Sequence, residues 1–173
     1  MKININGIKI FKSKIYKDSR GFFSEVYKKK ILKKKELIFH CTSSSKKNVL
    51  RGLHLQTKNP QSKFLTVLKV QIFDVVVDLR KNSNTFGKYF SIILSNQSYS
   101  SIYIPEGLAH GFCSLDKENV VYYGCSNYRQ ENYEVGILWN DQDLKIKWPI
   151  KNPILSKKDS QNISFREYCN LQN

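Results

Sequence analysis

The chain has 173 residues, enough for one domain with a hydrophobic core that needs no disulfide or metal staples. Apolar residues at 40% and charged residues at 25% exclude wholesale disorder, and no apolar run approaches the roughly 20 residues of a membrane-spanning helix. The formal net charge of +15 suggests nucleic acid, but only five of the 29 basic residues are arginine (Arg20, Arg51, Arg80, Arg129 and Arg166), and no nucleic-acid motif is present. A lysine coat of this kind is a solvated surface that favours anionic small molecules, nucleotides included.

Along the chain, MKININGIKIFKSKIYKDSRG alternates lysine with isoleucine and shows no small-residue cleavage site, so no signal peptide is expected. The cysteines Cys41, Cys113, Cys125 and Cys169 have no paired spacing, which predicts free thiols and a cytoplasmic protein. FFSEVY (22–27) reads as the first strand and KKKILKKKEL (28–37) as a helix. Then come NVLRGLH (48–54), FLTVL (64–68), QIFDVVVDL (71–79), YFSIIL (89–94), SIYIP (101–105), HGFCSL (110–115) and NVVYYGC (119–125). These are short, β-branched or aromatic, and punctuated by turn residues about every ten positions. That rhythm predicts an all-β sandwich or barrel of antiparallel strands, here as a single domain over 1–173. A second short helix is expected over 163–171.

Two strands carry polar groups inside an apolar alternation. In QIFDVVVDL the two-residue period places Ile72, Asp74, Val76 and Asp78 on one face. An aspartate among valines faces a polar pocket or cation, or is a hydrogen-bonded structural group near a barrel mouth. In NVVYYGC, Tyr123 shares a face with Val121 and Cys125, where packing is the simpler reading. The histidines are His40, His54 and His110. A metal-binding barrel would offer a second histidine two positions after His54; Gln56 stands there, so no metal is expected. A neutral histidine beside a carboxylate suits general-base chemistry near pH 7.

The order of DSRGFFSE (18–25), VLRGLHLQ (49–56), IFDVVVDLRKNSNTFGK (72–88), IYIPEGLAHGF (102–112), VVYYGCS (120–126), EVGILWND (134–141) and LSKKD (155–159) closely resembles the dTDP-4-dehydrorhamnose 3,5-epimerase family, from about residue 8 to residue 159. The resemblance implies a cupin-type jelly roll and a cofactor-independent epimerase acting on a nucleotide-linked 4-keto sugar. A ketone at carbon 4 acidifies the hydrogens on carbons 3 and 5. Inversion then needs a base on one face, a proton donor on the other and a cation near the carbonyl oxygen. By resemblance the base is His54, oriented by Asp159; the donor is Tyr123 and the cation Lys63. His110 and Asp74 fall near the sugar, and Arg20, Phe23, Glu25, Arg51 and Gln56 on the nucleotide side. A homodimer with exchanged N-terminal strands is implied, in which Arg20 and Glu25 serve the partner's site. Arg51 and His54 are three apart, so both reach one pocket only if Gly52 marks a bulge; without one, Arg51 is a structural ion-pair partner.

The departures from the family pattern lie on the nucleotide side. Phe39 and Cys41 replace a glutamine and an asparagine, Arg129 replaces a tyrosine, and Val70 replaces a glycine before the DV strand. With the chemistry-bearing positions intact, these changes lead to the expectation of a different carrier or a different sugar, with Arg129 bonding to or stacking on a guanine of GDP; the resemblance itself implies a role in surface polysaccharide such as capsule or lipopolysaccharide. The alternatives are the dTDP-rhamnose epimerase itself and, from another class, a noncatalytic jelly-roll binder of sugar nucleotides.

Overall fold

The computed structural model describes residues 4–32 and 36–172. Its frame is a pair of five-stranded antiparallel sheets. The first runs β1 (Lys9–Lys12), β9 (Ser100–Ile104), β6 (Lys63–Lys69), β11 (Asn119–Cys125) and β4 (Phe39–Ser45). The second runs β12 (Glu134–Gly136), β5 (Leu50–Gln56), β10 (Leu108–Ser114), β7 (Gln71–Asp78) and β8 (Tyr89–Ser95). A hairpin of β2 (Ile15–Asp18) and β3 (Gly21–Ser24) pairs only with itself. Apart from the β7–β8 hairpin, consecutive strands from β4 onward alternate between the two sheets, as in a jelly roll.

The sheets are held together by side chains from both inner faces. Leu65, Val67 and Val121 of the first meet Ile72, Val76 and Phe112 of the second, all nearly or fully buried. Each such burial contributes roughly 1.5–3 kcal/mol. The outer face of the second sheet is covered too: Leu53, Val75, Val77 and Ala109 pack under Ile137, Trp148, Phe165 and Tyr168 of the C-terminal segment. Burial on both faces explains why β7 is an almost unbroken apolar run. It also leaves Asp74, with no exposed surface, on the inner face.

The expected strands from β5 to β11 are present, whereas 22–27 is strand only as far as Ser24. The C-terminal helix α1 (Phe165–Leu171) forms as expected and is opened by a capping box between Ser164 and Glu167. The helix expected over 28–37 is a correction. A single 3-10 turn covers Lys29–Leu32, residues 33–35 lie outside the described residues, and Leu37 follows in irregular backbone. Leu32 and Leu37 both pack on Phe64 and Tyr103. Five residues apart, they would point about 140° apart on an α-helix, so one apolar surface could not take both.

Local backbone then shapes β5. His54 pairs with His110 and Arg51 with Phe112, so three steps on β5 match two on β10: a β-bulge. Gly52 adopts a φ of +111°, and a Cβ there would lie 2.6 Å from both the Gly111 Cα and the His110 carbonyl oxygen. Only glycine allows this approach.

Candidate active site

One end of the space between the sheets stays open as a cavity of about 360 Å³. The first sheet contributes Phe39, Cys41 and Ser43 from β4, Lys63 from β6, and Tyr123 and Cys125 from β11. From the second come Arg51 and His54 of β5, His110 and Phe112 of β10, and Glu134 of β12. Thr42, Gln61, Arg129 and the segment carrying Ser156, Lys158 and Asp159 complete the lining. The bulge at Gly52 brings Arg51 and His54 to the same cavity. Arg51 is also tied to β4, donating to Ser45 Oγ at 3.0 Å and to the Ser44 carbonyl at 3.1 Å.

His54 Nε2 lies 2.5 Å from Asp159 Oδ1. Burial would raise the Asp159 carboxyl, but hydrogen bonds from His54, Ser156 and the Gly52 amide outweigh it and hold the group below the ordinary range. An ionised carboxylate only accepts, so Nε2 carries the proton and Nδ1 is the basic nitrogen. A second pair stands beside it: His110 Nε2 is 2.8 Å from Asp74 Oδ2, and His110 is the cross-strand neighbour of His54. Asp74 Oδ1 is buried and makes no hydrogen bond.

The opposite wall holds Tyr123, Ser43 and Lys63, while Glu134 and Lys158 lie on the His54 side. Burial pushes the Tyr123 phenol up, against the pull of a 3.3 Å hydrogen bond with Ser43, so it stays protonated at neutral pH. Burial lowers the Lys63 ammonium, partly offset by the neighbouring Cys125 thiol and the Glu134 and Asp74 carboxyls. Glu134 accepts from Lys158 and, at 3.0 Å, from Arg129, which also holds Glu131 at 2.8 Å. Among the described residues no set of three His, Cys, Asp or Glu side chains could hold a metal, and no helix is long and apolar enough to cross a membrane.

Of the residues expected from the sequence, His54, Asp159, Tyr123, Lys63, Arg51, His110 and Arg129 line this cavity, and Asp74 backs His110. Gln56 is not among the lining residues. Its Nε2 donates to the carbonyls of Asn59 at 2.6 Å and Tyr128 at 3.3 Å, and its Oε1 accepts from the Gln130 amide at 2.8 Å. All its polar atoms are therefore used in joining two loops. Arg20, Phe23 and Glu25 lie on or just after the β2–β3 hairpin, outside the cavity of their own chain. Arg20 pairs with Asp18 and Glu25 with Lys28. Sequence reading missed Ser43, Glu134, Ser156 and Lys158. Ser156 had a local signal, since it stands three residues before Asp159 in a cap-like spacing.

Comparison with known proteins points in one direction. The family model for dTDP-4-dehydrorhamnose 3,5-epimerase matches residues 2–167. The chain is 40% identical to the dTDP-4-dehydrorhamnose 3,5-epimerase of Shigella flexneri, over 95% of this chain and 94% of that one. It is 38% identical, over 96% and 94%, to the enzyme of that name from Methanothermobacter thermautotrophicus. The dTDP-6-deoxy-D-glucose-3,5-epimerase of Legionella pneumophila, solved in complex with dTDP-4-keto-L-rhamnose, superposes with a TM-score of 0.91 at 36% identity, covering 96% of this chain and 92% of that one.

Proposed function

The chain belongs to the dTDP-4-dehydrorhamnose 3,5-epimerase family and is an isomerase; from that premise we propose that it inverts carbons 3 and 5 of a dTDP-linked 4-keto-6-deoxy sugar. The observation that carries the reading is the placement of His54 and Asp159 on one wall of the cavity and Tyr123 on the other. Nδ1 of His54 takes the proton from the carbon beside the ketone, and the C–H electron pair passes into an enolate on the carbon 4 oxygen. The ammonium of Lys63 stabilises that oxygen. Tyr123 delivers a proton to the other face of the same carbon, and the phenolate and imidazolium regain their ordinary states by exchange with solvent. The reading assigns His110, held by Asp74, to a sugar hydroxyl, and Arg51 to the diphosphate.

GDP is not part of this reading. Both terminal nitrogens of Arg129 hold glutamates, so a bond from them to a guanine would have to break an ion pair. The compared relatives carry dTDP in their names. Neither they nor the cavity supports a capsule or lipopolysaccharide destination. The hairpin bearing Arg20 and Phe23, with Glu25 after it, is read as the contribution of one subunit to the cavity of a second copy in a homodimer, because its polar and aromatic residues reach no cavity of their own.

The test is deuterium incorporation from D2O into a dTDP-4-keto-6-deoxyhexose, followed by NMR. His54→Asn is expected to abolish incorporation at both carbons, and Asp159→Asn to slow it by ~10²–10⁴-fold. Tyr123→Phe should still exchange but fail to invert. Wild-type exchange in His54→Asn, or full epimerisation in Tyr123→Phe, would sink the mechanism.

A further inference from the structure

The geometry points to Ser156 as the positioning residue of the His54–Asp159 pair, an inference that rests on the proton-abstraction reading above. Asp159 belongs to neither sheet. It opens a 3-10 turn, Asp159–Gln161, in a segment tied to β5 by backbone hydrogen bonds at Ile154. A carboxylate on such a segment orients an imidazole only if its own rotamer is fixed.

Ser156 fixes it twice over. Its hydroxyl donates to Asp159 Oδ2 at 2.9 Å and accepts from the Asp159 backbone amide at 3.0 Å. One oxygen therefore binds both the main chain and the side chain of the same residue. The carboxylate is left with Oδ1 facing His54, 2.5 Å away. The Ser156 carbonyl accepts from the Ser160 amide at 3.0 Å, which closes the turn around the same residue. Asp159 is 4% exposed, so a carboxylate oxygen released by loss of the hydroxyl finds little water to replace it. The serine that ties together the backbone at Asp159 and Ser160 therefore also aims the general base.

Ser156→Ala is expected to slow deuterium exchange about tenfold, as loss of one charge-assisted hydrogen bond does, with KM within about twofold of wild type. Ser156→Thr, which keeps the hydroxyl, should recover most of the rate. The decisive measurement is the double variant: in an Asp159→Asn background, where the amide no longer presents a carboxylate to aim, Ser156→Ala should slow exchange by much less than tenfold. A purely structural serine would lower the melting temperature and slow both backgrounds by the same factor, and that result overturns the inference. So does a Ser156→Thr protein that folds but is as slow as the alanine variant. If the wild type incorporates no deuterium, the proposed function falls and this inference with it. If the wild type exchanges and Ser156→Ala matches it, only this inference falls.

Discussion

Asp78 and Glu134 show how single carboxylates tie stability to pH. Burial would raise Asp78, but Arg80, Ser83 and Thr85 all donate to it and hold it at about 2. Glu134 is likewise raised by burial and pulled down further, to about 2, by Lys158 and Arg129. A carboxyl whose folded pKa is depressed stabilises the fold above its unfolded value. That stabilisation disappears as pH falls through the folded value. The window here runs from the ordinary 4.5 of a glutamate down to about 2. The melting temperature is expected to be level above pH ~5 and to fall steeply across that window. A profile that stays level down to pH 2 would show that these bonds contribute nothing net. The cluster around Asp78 is local in sequence and reaches only as far as Thr85. Lys158, by contrast, reaches Glu134 only because the C-terminal segment folds back on β12.

At the scale of elements, the turn between β6 and β7 holds a conflict between sequence and backbone. Val70, standing where the family has glycine, takes a φ of +64°. A β-branched side chain in the left-handed region costs roughly 1–2 kcal/mol. Val70→Gly removes that strain but adds ~0.5–1 kcal/mol of unfolded-chain entropy. The net expectation is a gain of up to about 1.5 kcal/mol, read as a melting temperature higher by up to roughly 6 °C. An unchanged or lower value would mean that the valine packs well enough to offset its backbone. At the Gly52 bulge the residue fits the geometry, and there the signal was local: a glycine set between two polar residues three apart is what a bulge requires. Strand β4 had no such signal. FHCTSSS lacks apolar alternation, and it is a strand because β11 pairs with it from Phe39 to Ser45.

At the scale of the whole molecule, the β2–β3 hairpin is left unfinished by a single chain. A two-stranded ribbon is marginal alone, yet this one exposes Phe22 by 61% and Phe23 by 64% of their surface. If it covers a second copy, the protein should sediment at twice the 20.3 kDa of the chain, and Phe22→Ser with Phe23→Ser should shift it toward monomer. A wild type that sediments as a single chain at micromolar concentration would remove the dimer from the functional reading.

What the sequence determined by itself is what a period of two residues can encode. The strands from β5 to β11 were legible, as was the shared face of Ile72, Asp74 and Val76, though not that this face is the inner one. The family resemblance, carried by short contiguous motifs such as RGLH and SKKD, named residues that the structure brings to one cavity. The tertiary structure decided which of those residues meet. His54 and Asp159 lie 105 residues apart, and no local pattern states that a C-terminal turn closes over β5. Gln56 continues the RGLH strand and looked equally functional, but two loops claim its amide. The lysine-rich 28–37 segment had helical composition, but of its described residues only Lys29–Leu32 form a 3-10 turn, with Leu32 and Leu37 on the surface of Phe64 and Tyr103. Alternation is set by the geometry of a single strand. Pairing across a cavity depends on how two sheets stack and which side chains fill the space between them, and that is a property of all the strands at once.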